Sequence, residues 1–129
     1  MLQLILTERR RVPAIASALR LSAPQCHVLR LLEPGKPLPM RGVAEALACD
    51  ASNVTGIVDR LEARGLLERR AATHDRRVRV VVITRRGAAM RARLLARLAA
   101  PPPAIARLSR AEQRMLCAIL RRALPASRA

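Results

Sequence analysis

The chain has 129 residues, 51% of them apolar, which suits one domain with a real core, yet it contains no Phe, Tyr or Trp. Its 25 Lys plus Arg against 9 Asp plus Glu leave a net charge of +16, a balance that points to a polyanionic partner, with nucleic acid ahead of an anionic membrane surface. Three widely spaced cysteines without a CxxC exclude a disulfide framework, and no run approaches the roughly 18 consecutive apolar residues of a membrane span. Met1 to Leu6 is apolar, but TERRR follows, whereas a signal peptide places charge before its apolar run. The expected compartment is therefore the cytoplasm, with reduced thiols. All the bases except Lys36 are Arg, whose planar fork suits both phosphates and guanine edges. A core of Leu, Val, Ile, Ala and Met buries less area per residue, at about 25 cal/mol per Å². A thin monomer core favours an oligomer.

In chain order, Leu2 to Arg11 is a short helical piece, and Pro13 opens a helix running to about Leu19. Ser22 and Gln25 have capping-box spacing and start a helix that carries Val28, Leu29, Leu31 and Leu32. Pro34-Gly35-Lys36-Pro37 closes it in a loop. Met40, Val43, Ala44 and Leu47 recur at i, i+3, i+4, i+7, the pattern of an amphipathic helix. After only Ala48-Cys49-Asp50 a second helix follows, with the carboxylate of Asp50 as its cap and Val54, Ile57, Val58 and Leu61 as its apolar stripe. Gly65 stops it. Leu66 to Arg70 and Val78 to Thr84 read as strands joined by a basic turn. Thr84 caps a helix from about Arg85 to Leu98, the run Pro101-Pro102-Pro103 breaks it, and Ser109 with Glu112 opens a last helix to about Leu124. The predicted order is α-α-α-α-β-β-α-α, a mainly α fold with a small β-hairpin wing.

Two helices joined by a three-residue turn and followed by a basic ribbon have the layout of a winged helix-turn-helix. Away from its stripe, the second helix presents Ser52, Asn53, Thr55, Gly56, Asp59 and Arg60. Short polar side chains can bond base edges, and Gly56 lets a backbone come close. Arg60 and Arg64, one turn apart, can reach phosphates. At the ribbon tip, Asp75, Arg76 and Arg77 are placed for a neighbouring minor groove, whose negative potential rewards an inserted Arg. An ordinary solvated helix face and a solvated turn are the plainer readings of the same residues. The coupling of helix pair, glycine stop and basic hairpin disfavours them.

These segments resemble the MarR family of bacterial regulators. The matching pieces are LSAPQ at 21–25, VAEAL at 43–47, ASNVTGIVDRLEARGLLER at 51–69, DRR at 75–77, ITRRG at 83–87 and LSRAEQ at 108–113. The resemblance implies a homodimeric, sequence-specific DNA-binding transcriptional regulator. Residues 1–21 and 85–129 would then dimerise, and 22–84 would form the DNA-binding region. It further implies that the helix from Ser52 to Arg64 enters the major groove, and that Arg77 enters the minor groove, paired with and oriented by Asp75. The expected partner is a pseudo-palindromic operator in double-stranded DNA, bound most simply as a repressor and released by a small ligand or an oxidant. Two departures stand out. Pro13 interrupts an N-terminal helix that is usually longer, and the missing aromatics rule out the usual aromatic-lined ligand pocket in that form.

Among the cysteines, Cys49 is the candidate redox residue, because it lies just before a helix N-terminus, which favours an anion. Cys26 and Cys117 fall in apolar patterns, as buried structural cysteines do. A structural role for all three is the alternative. Cys26-His27 lacks a second pair at ligand spacing, so no metal is expected, and no cofactor. No nucleophile–base pair, P-loop or carboxylate pair argues for an enzyme. Two other readings stay open: a non-specific architectural nucleic-acid binder, and a winged-helix interaction module that has lost DNA binding.

Overall fold

The computed structural model describes residues 11–123. Most of the Leu2–Arg11 segment, and residue 124 at the expected end of the last helix, lie outside that range. Residues 11–18 are helical (α1), so the chain is already helical ahead of Pro13. There follow α2 (Ala23–Leu31), β1 (Leu38–Pro39), α3 (Met40–Leu47), α4 (Ala51–Ala63), β2 (Leu67–Ala71), β3 (Arg79–Ile83), α5 (Arg85–Ala99), α6 (Pro103–Ala106) and α7 (Arg110–Ala123). The three strands form an antiparallel sheet in the order β1-β3-β2, with Leu38 opposite Val81 and Arg69 opposite Val81 on its other side.

Two elements escape the sequence pattern. β1 is two residues long, too short to show an alternation, and Pro39 belongs on an edge strand because it has no N–H to donate. α6 begins inside the proline run. Pro103 ends nothing there; it occupies the first turn, where its missing N–H costs no hydrogen bond. The strands themselves run one residue later at their starts than the pattern suggests.

The caps explain most boundaries. Ser22 and Gln25 form the expected capping box on α2. Thr84 accepts from Gly87 N–H at 3.0 Å, and Ser109 accepts from Glu112 N–H at 3.3 Å. The Glu112 carboxylate bonds back to Ser109, and those bonds hold it below the usual carboxylate range. Asp50 departs from expectation: it precedes α4 in extended backbone, but its carboxylate makes no cap hydrogen bond. It is exposed, so water can satisfy both the carboxylate and the first amides of the helix. Three helix ends share one device. After α1, α3 and α4 the chain turns through a left-handed residue, Arg20 (φ 53), Ala48 (φ 49) and Gly65 (φ 65). At each, the next residue donates back five positions: Leu21 to Ala16, Cys49 to Ala44, and Leu66 to Leu61.

The core sits where α2, α3, α4 and the inner sheet face meet. Val28, Leu29, Leu32, Val43, Val54, Val58, Leu61 and Val81 are each 0% exposed. Leu94 of α5 is also 0% exposed and belongs to this core, so this position of the 85–129 segment serves the chain's own interior. Cys117 is exposed rather than buried. Gly87 allows α5 to start flush against β2: a Cβ there would lie 1.7 Å from the Leu66 carbonyl oxygen.

Candidate nucleic-acid interface

The Ala48-Cys49-Asp50 turn sets α4 against α3, with Val54, Val58 and Leu61 buried and Ile57 partly so. Burial of that stripe rolls the opposite face outward. Ser52, Asn53, Thr55 and Arg60 are all exposed there, and Gly56 is half-buried. A Cβ built on Gly56 meets nothing within 4 Å, so the fold itself does not require glycine at this position. Thr55 donates its hydroxyl proton to the Ala51 carbonyl at 2.9 Å, which leaves its oxygen lone pairs as acceptors.

At the wing, Asp75, Arg76 and Arg77 are exposed in the turn between β2 and β3. The Asp75 carboxylate accepts from the backbone N–H of Arg77 at 2.9 Å, and Val78 N–H donates to the Asp75 carbonyl at 3.0 Å. Asp75 thus fixes the turn's backbone. Among the described residues no ion pair joins it to the Arg77 guanidinium, so in this structure the carboxylate orients Arg77 through its main chain. Ion pairs to Arg60 and Arg76 are likewise absent from the described residues.

Arg64 stands apart from the other candidates. It is half-buried, and its guanidinium donates to the carbonyls of Arg20 and, at 3.4 Å, Leu19. It therefore closes the end of α1 instead of lying open for a phosphate. A residue the sequence did not single out, Arg69 on β2, reaches across to α4. It pairs with Asp59 and, at 3.3 Å, with Glu62, and donates to the Thr55 carbonyl at 3.4 Å. Its backbone N–H also donates to Glu62 at 2.9 Å. The signal was present in the spacing: Asp59 and Glu62 stand three apart on one helix face, beside a short strand that carries Arg69. Arg70 pairs with Glu68 along the same strand. Asp59, Glu62 and Glu68 are thus engaged by arginines, whereas Asp50 and Asp75 carry no ion pair among the described residues.

Behind the turn lies a cavity of about 360 Å³, lined by Val12, Pro24, Cys26, His27, Leu47, Cys49, Leu94 and Leu98, among others. It touches α1, α2 and α5 as well as the turn that leads into α4. Cys49 is exposed and Cys26 buried, and burial pushes the Cys26 thiol up, with Arg30 acting the other way. Among the described residues no group of three or more His, Cys, Asp or Glu could hold a metal ion, and no helix is long and apolar enough to cross a membrane.

Residues 21–78 match the model of the MarR family. Over this segment, a little under half of the chain, the protein is similar to the MarR family. A Bacillus subtilis (strain 168) relative, the uncharacterized HTH-type transcriptional regulator YfiV, is 41% identical over 66 residues. That match takes in 51% of this chain and 41% of YfiV, so the chain spans about two-fifths of the length of the curated relative it matches. The crystal structure of the YusO protein from Bacillus subtilis aligns over 94% of this chain and 87% of its own, at 26% identity and a TM-score of 0.79. The S. aureus MepR–DNA complex aligns over 95% of this chain and 98% of its own, at 17% identity and a TM-score of 0.69, a likeness of fold. The MarR-type winged helix therefore extends beyond the matched segment to α5 and the C-terminal helices.

Proposed function

We propose that this chain is a MarR-family, sequence-specific, DNA-binding transcriptional regulator that acts as a homodimer. One observation carries the reading. The exposed face of α4 and the wing tip offer Asn53, Thr55, Arg60, Arg76 and Arg77 to solvent, while Asp59 and Glu62 share Arg69 and Glu68 pairs with Arg70. Among the described residues Arg60, Arg76 and Arg77 have no ion pair, in a chain whose net charge of +16 suits a polyanionic partner. The fold-level neighbour MepR is seen bound to DNA, which agrees with this use of the surface. In the proposed complex Ser52, Asn53 and Thr55 meet base edges in the major groove, and Gly56 allows the close approach. Arg60 meets phosphate, and Arg77 enters the minor groove.

The dimer is supported by α7. None of its residues is buried, yet it carries Met115, Ile119 and Leu120 at 66%, 47% and 47% exposure on one face. A lone helix of this length is marginal in water and gains most of its stability from packing. A second copy would cover the face. With residues 1–21 and 85–129 contributing to that interface, region 22–84 would be displayed twice, about one helical turn apart on a pseudo-palindromic operator. The role places the protein in the cytoplasm with its DNA.

Repression relieved by a small ligand or an oxidant is the regulatory scheme this arrangement supports best. The 360 Å³ cavity adjoins the turn ahead of α4, and Cys49 lines it. A ligand there, or an adduct on Cys49, would change the spacing of the two recognition helices. The test is selection of genomic DNA by the purified protein, with and without oxidant, followed by competition with unrelated DNA at fixed salt. A regulator keeps a specificity ratio of about 10³ or more. A ratio near unity would leave the architectural reading standing, and no retained DNA would favour the interaction module. Within a selected site, Asn53→Ala and Thr55→Ala should alter sequence preference, whereas Arg60→Ala should lower affinity on every sequence.

A further inference from the structure

We propose that Arg69 is a positioning residue that locks the recognition helix to the wing, so that the two DNA-reading elements move as one body. The inference deepens the DNA-binding reading and rests on it.

The connection between α4 and β2 is short, Arg64 to Leu66, and it turns through the left-handed Gly65. A single such corner leaves the angle between helix and ribbon poorly constrained. Arg69 adds the constraint. By strand alternation it shares a face with Leu67, which is 1% exposed in the core, and this face looks toward α4. Its side chain is only 26% exposed, and its guanidinium is shared among Asp59, Glu62 and the Thr55 carbonyl. Asp59 and Glu62 would repel each other at that spacing without a cation between them. The Arg69 amide donates to Glu62 as well, so the strand backbone, not only a flexible side chain, is tied to the helix. A planar fork with several fixed donors suits this three-way attachment, and a lysine ammonium does not reproduce it.

The lock matters because one end of the ribbon carries Arg77 and the helix carries Asn53 and Thr55. Binding in two adjacent grooves gains from rigidity: once the helix is seated, a fixed wing reaches its groove without further ordering. If the wing swings freely, the same minor-groove contact loses most of its contribution. Arg69 therefore acts on affinity without touching DNA.

The experiment is a double-mutant cycle on a selected operator, read as affinity across a range of salt. In the parent protein, Arg77→Ala should reduce affinity by roughly 5- to 150-fold. In the Arg69→Gln background the same Arg77→Ala change should reduce it several-fold less, although the two side chains are not in contact. Arg69→Gln alone should lower affinity, and the slope of log K against log salt should fall by no more than Arg77→Ala lowers it. In the Arg77→Ala background Arg69→Gln should leave that slope unchanged; a further fall of about 0.9 there would mean that Arg69 itself binds a phosphate, and the proposal would be overturned. An equal Arg77→Ala factor in both backgrounds would also overturn it. Asp59→Asn with Glu62→Gln breaks the same lock from the helix side, keeps Arg69, and should reproduce the coupling if Arg69→Gln does not fold. Should the parent protein bind no DNA at all, the DNA-binding reading fails first. The lock then has no function to serve, and unchanged wing protection from hydrogen exchange in Arg69→Gln would refute it as a structural device too.

Discussion

Replacing Gly56 by alanine should strengthen the fold and weaken operator binding. Glycine in a helix interior is about 0.8–1.0 kcal/mol less favourable than alanine. At Gly56 nothing opposes that gain, because an added Cβ has no atom within 4 Å. For a chain of this size the stabilisation corresponds to a rise in melting temperature of about 3–5 °C. Protein concentration must be held constant, since a dimer's stability depends on it. On DNA the same methyl group stands on the outward face of α4, between Asn53 and Arg60, where bases or sugar–phosphate must come closest. Loss of one well-fitted contact or a forced retreat of the helix costs about 1–3 kcal/mol, or 5- to 150-fold in affinity. The pair of measurements is thermal unfolding and fluorescence anisotropy with a labelled operator, at one fixed salt concentration. A rise in stability with unchanged affinity would show that the face does not press against DNA at this point. A fall in stability would refute the open-space argument itself.

Five further outcomes are expected. Ala48 is held at φ 49 in the turn before α4, so Ala48→Gly should add about 0.5–1 kcal/mol, seen as a higher denaturant midpoint at unchanged slope. Gly87→Ala should do the reverse, because its Cβ would strike the Leu66 carbonyl oxygen at 1.7 Å; a loss of about 3 kcal/mol or insoluble protein is expected, and a normal melting curve would contradict the tight α5–β2 contact. Ile119→Glu puts a charge on the exposed apolar face of α7 and should yield monomers by light scattering, with operator affinity falling; a surviving dimer would move the interface elsewhere. Thiol labelling should reach the exposed Cys49 and Cys117 before the buried Cys26. Because burial raises the Cys26 thiol, its thiolate needs a pH above the usual thiol range. Peroxide should impair operator binding in the parent but not in Cys49→Ser, and equal loss in both would exclude Cys49.

Legibility of the fold followed from how local each signal is. Capping boxes at Ser22 and Ser109, the Thr84 cap and the Gly65 stop each lie within four residues of the boundary they set, and each stands where the sequence places it. β1 could not be read, since Leu38 and Pro39 are a strand only by virtue of Val80 and Val81, more than forty positions away. Ala48 was equally opaque. Nothing in an alanine announces a left-handed residue, and here the turn between two packed helices imposes it. Leu94 lies in the 85–129 segment that the resemblance assigns to dimerisation; only the packing of α5 onto α2 shows which of its apolar positions serve the chain's own core.

The candidate site was harder to read for one reason, which is that arginine serves three purposes in this chain. Arg64 satisfies the carbonyls at the end of α1, Arg69 ties strand to helix, and Arg60, Arg76 and Arg77 point to solvent. Helical spacing alone puts Arg60 and Arg64 on equal terms, one turn apart. The structure separates them because the Arg64 guanidinium reaches the Arg20 and Leu19 carbonyls at the end of α1, whereas Arg60 is exposed. Net charge cannot make that distinction either. Near the proposed interface Asp59, Glu62 and Glu68 pair with Arg69 and Arg70, while Arg60, Arg76 and Arg77 carry no ion pair among the described residues. The consequence is a division of labour that salt can report. Removing Arg77 should lower the salt dependence of operator binding by about one counterion, and removing Arg64 should lower the melting temperature while leaving that slope alone.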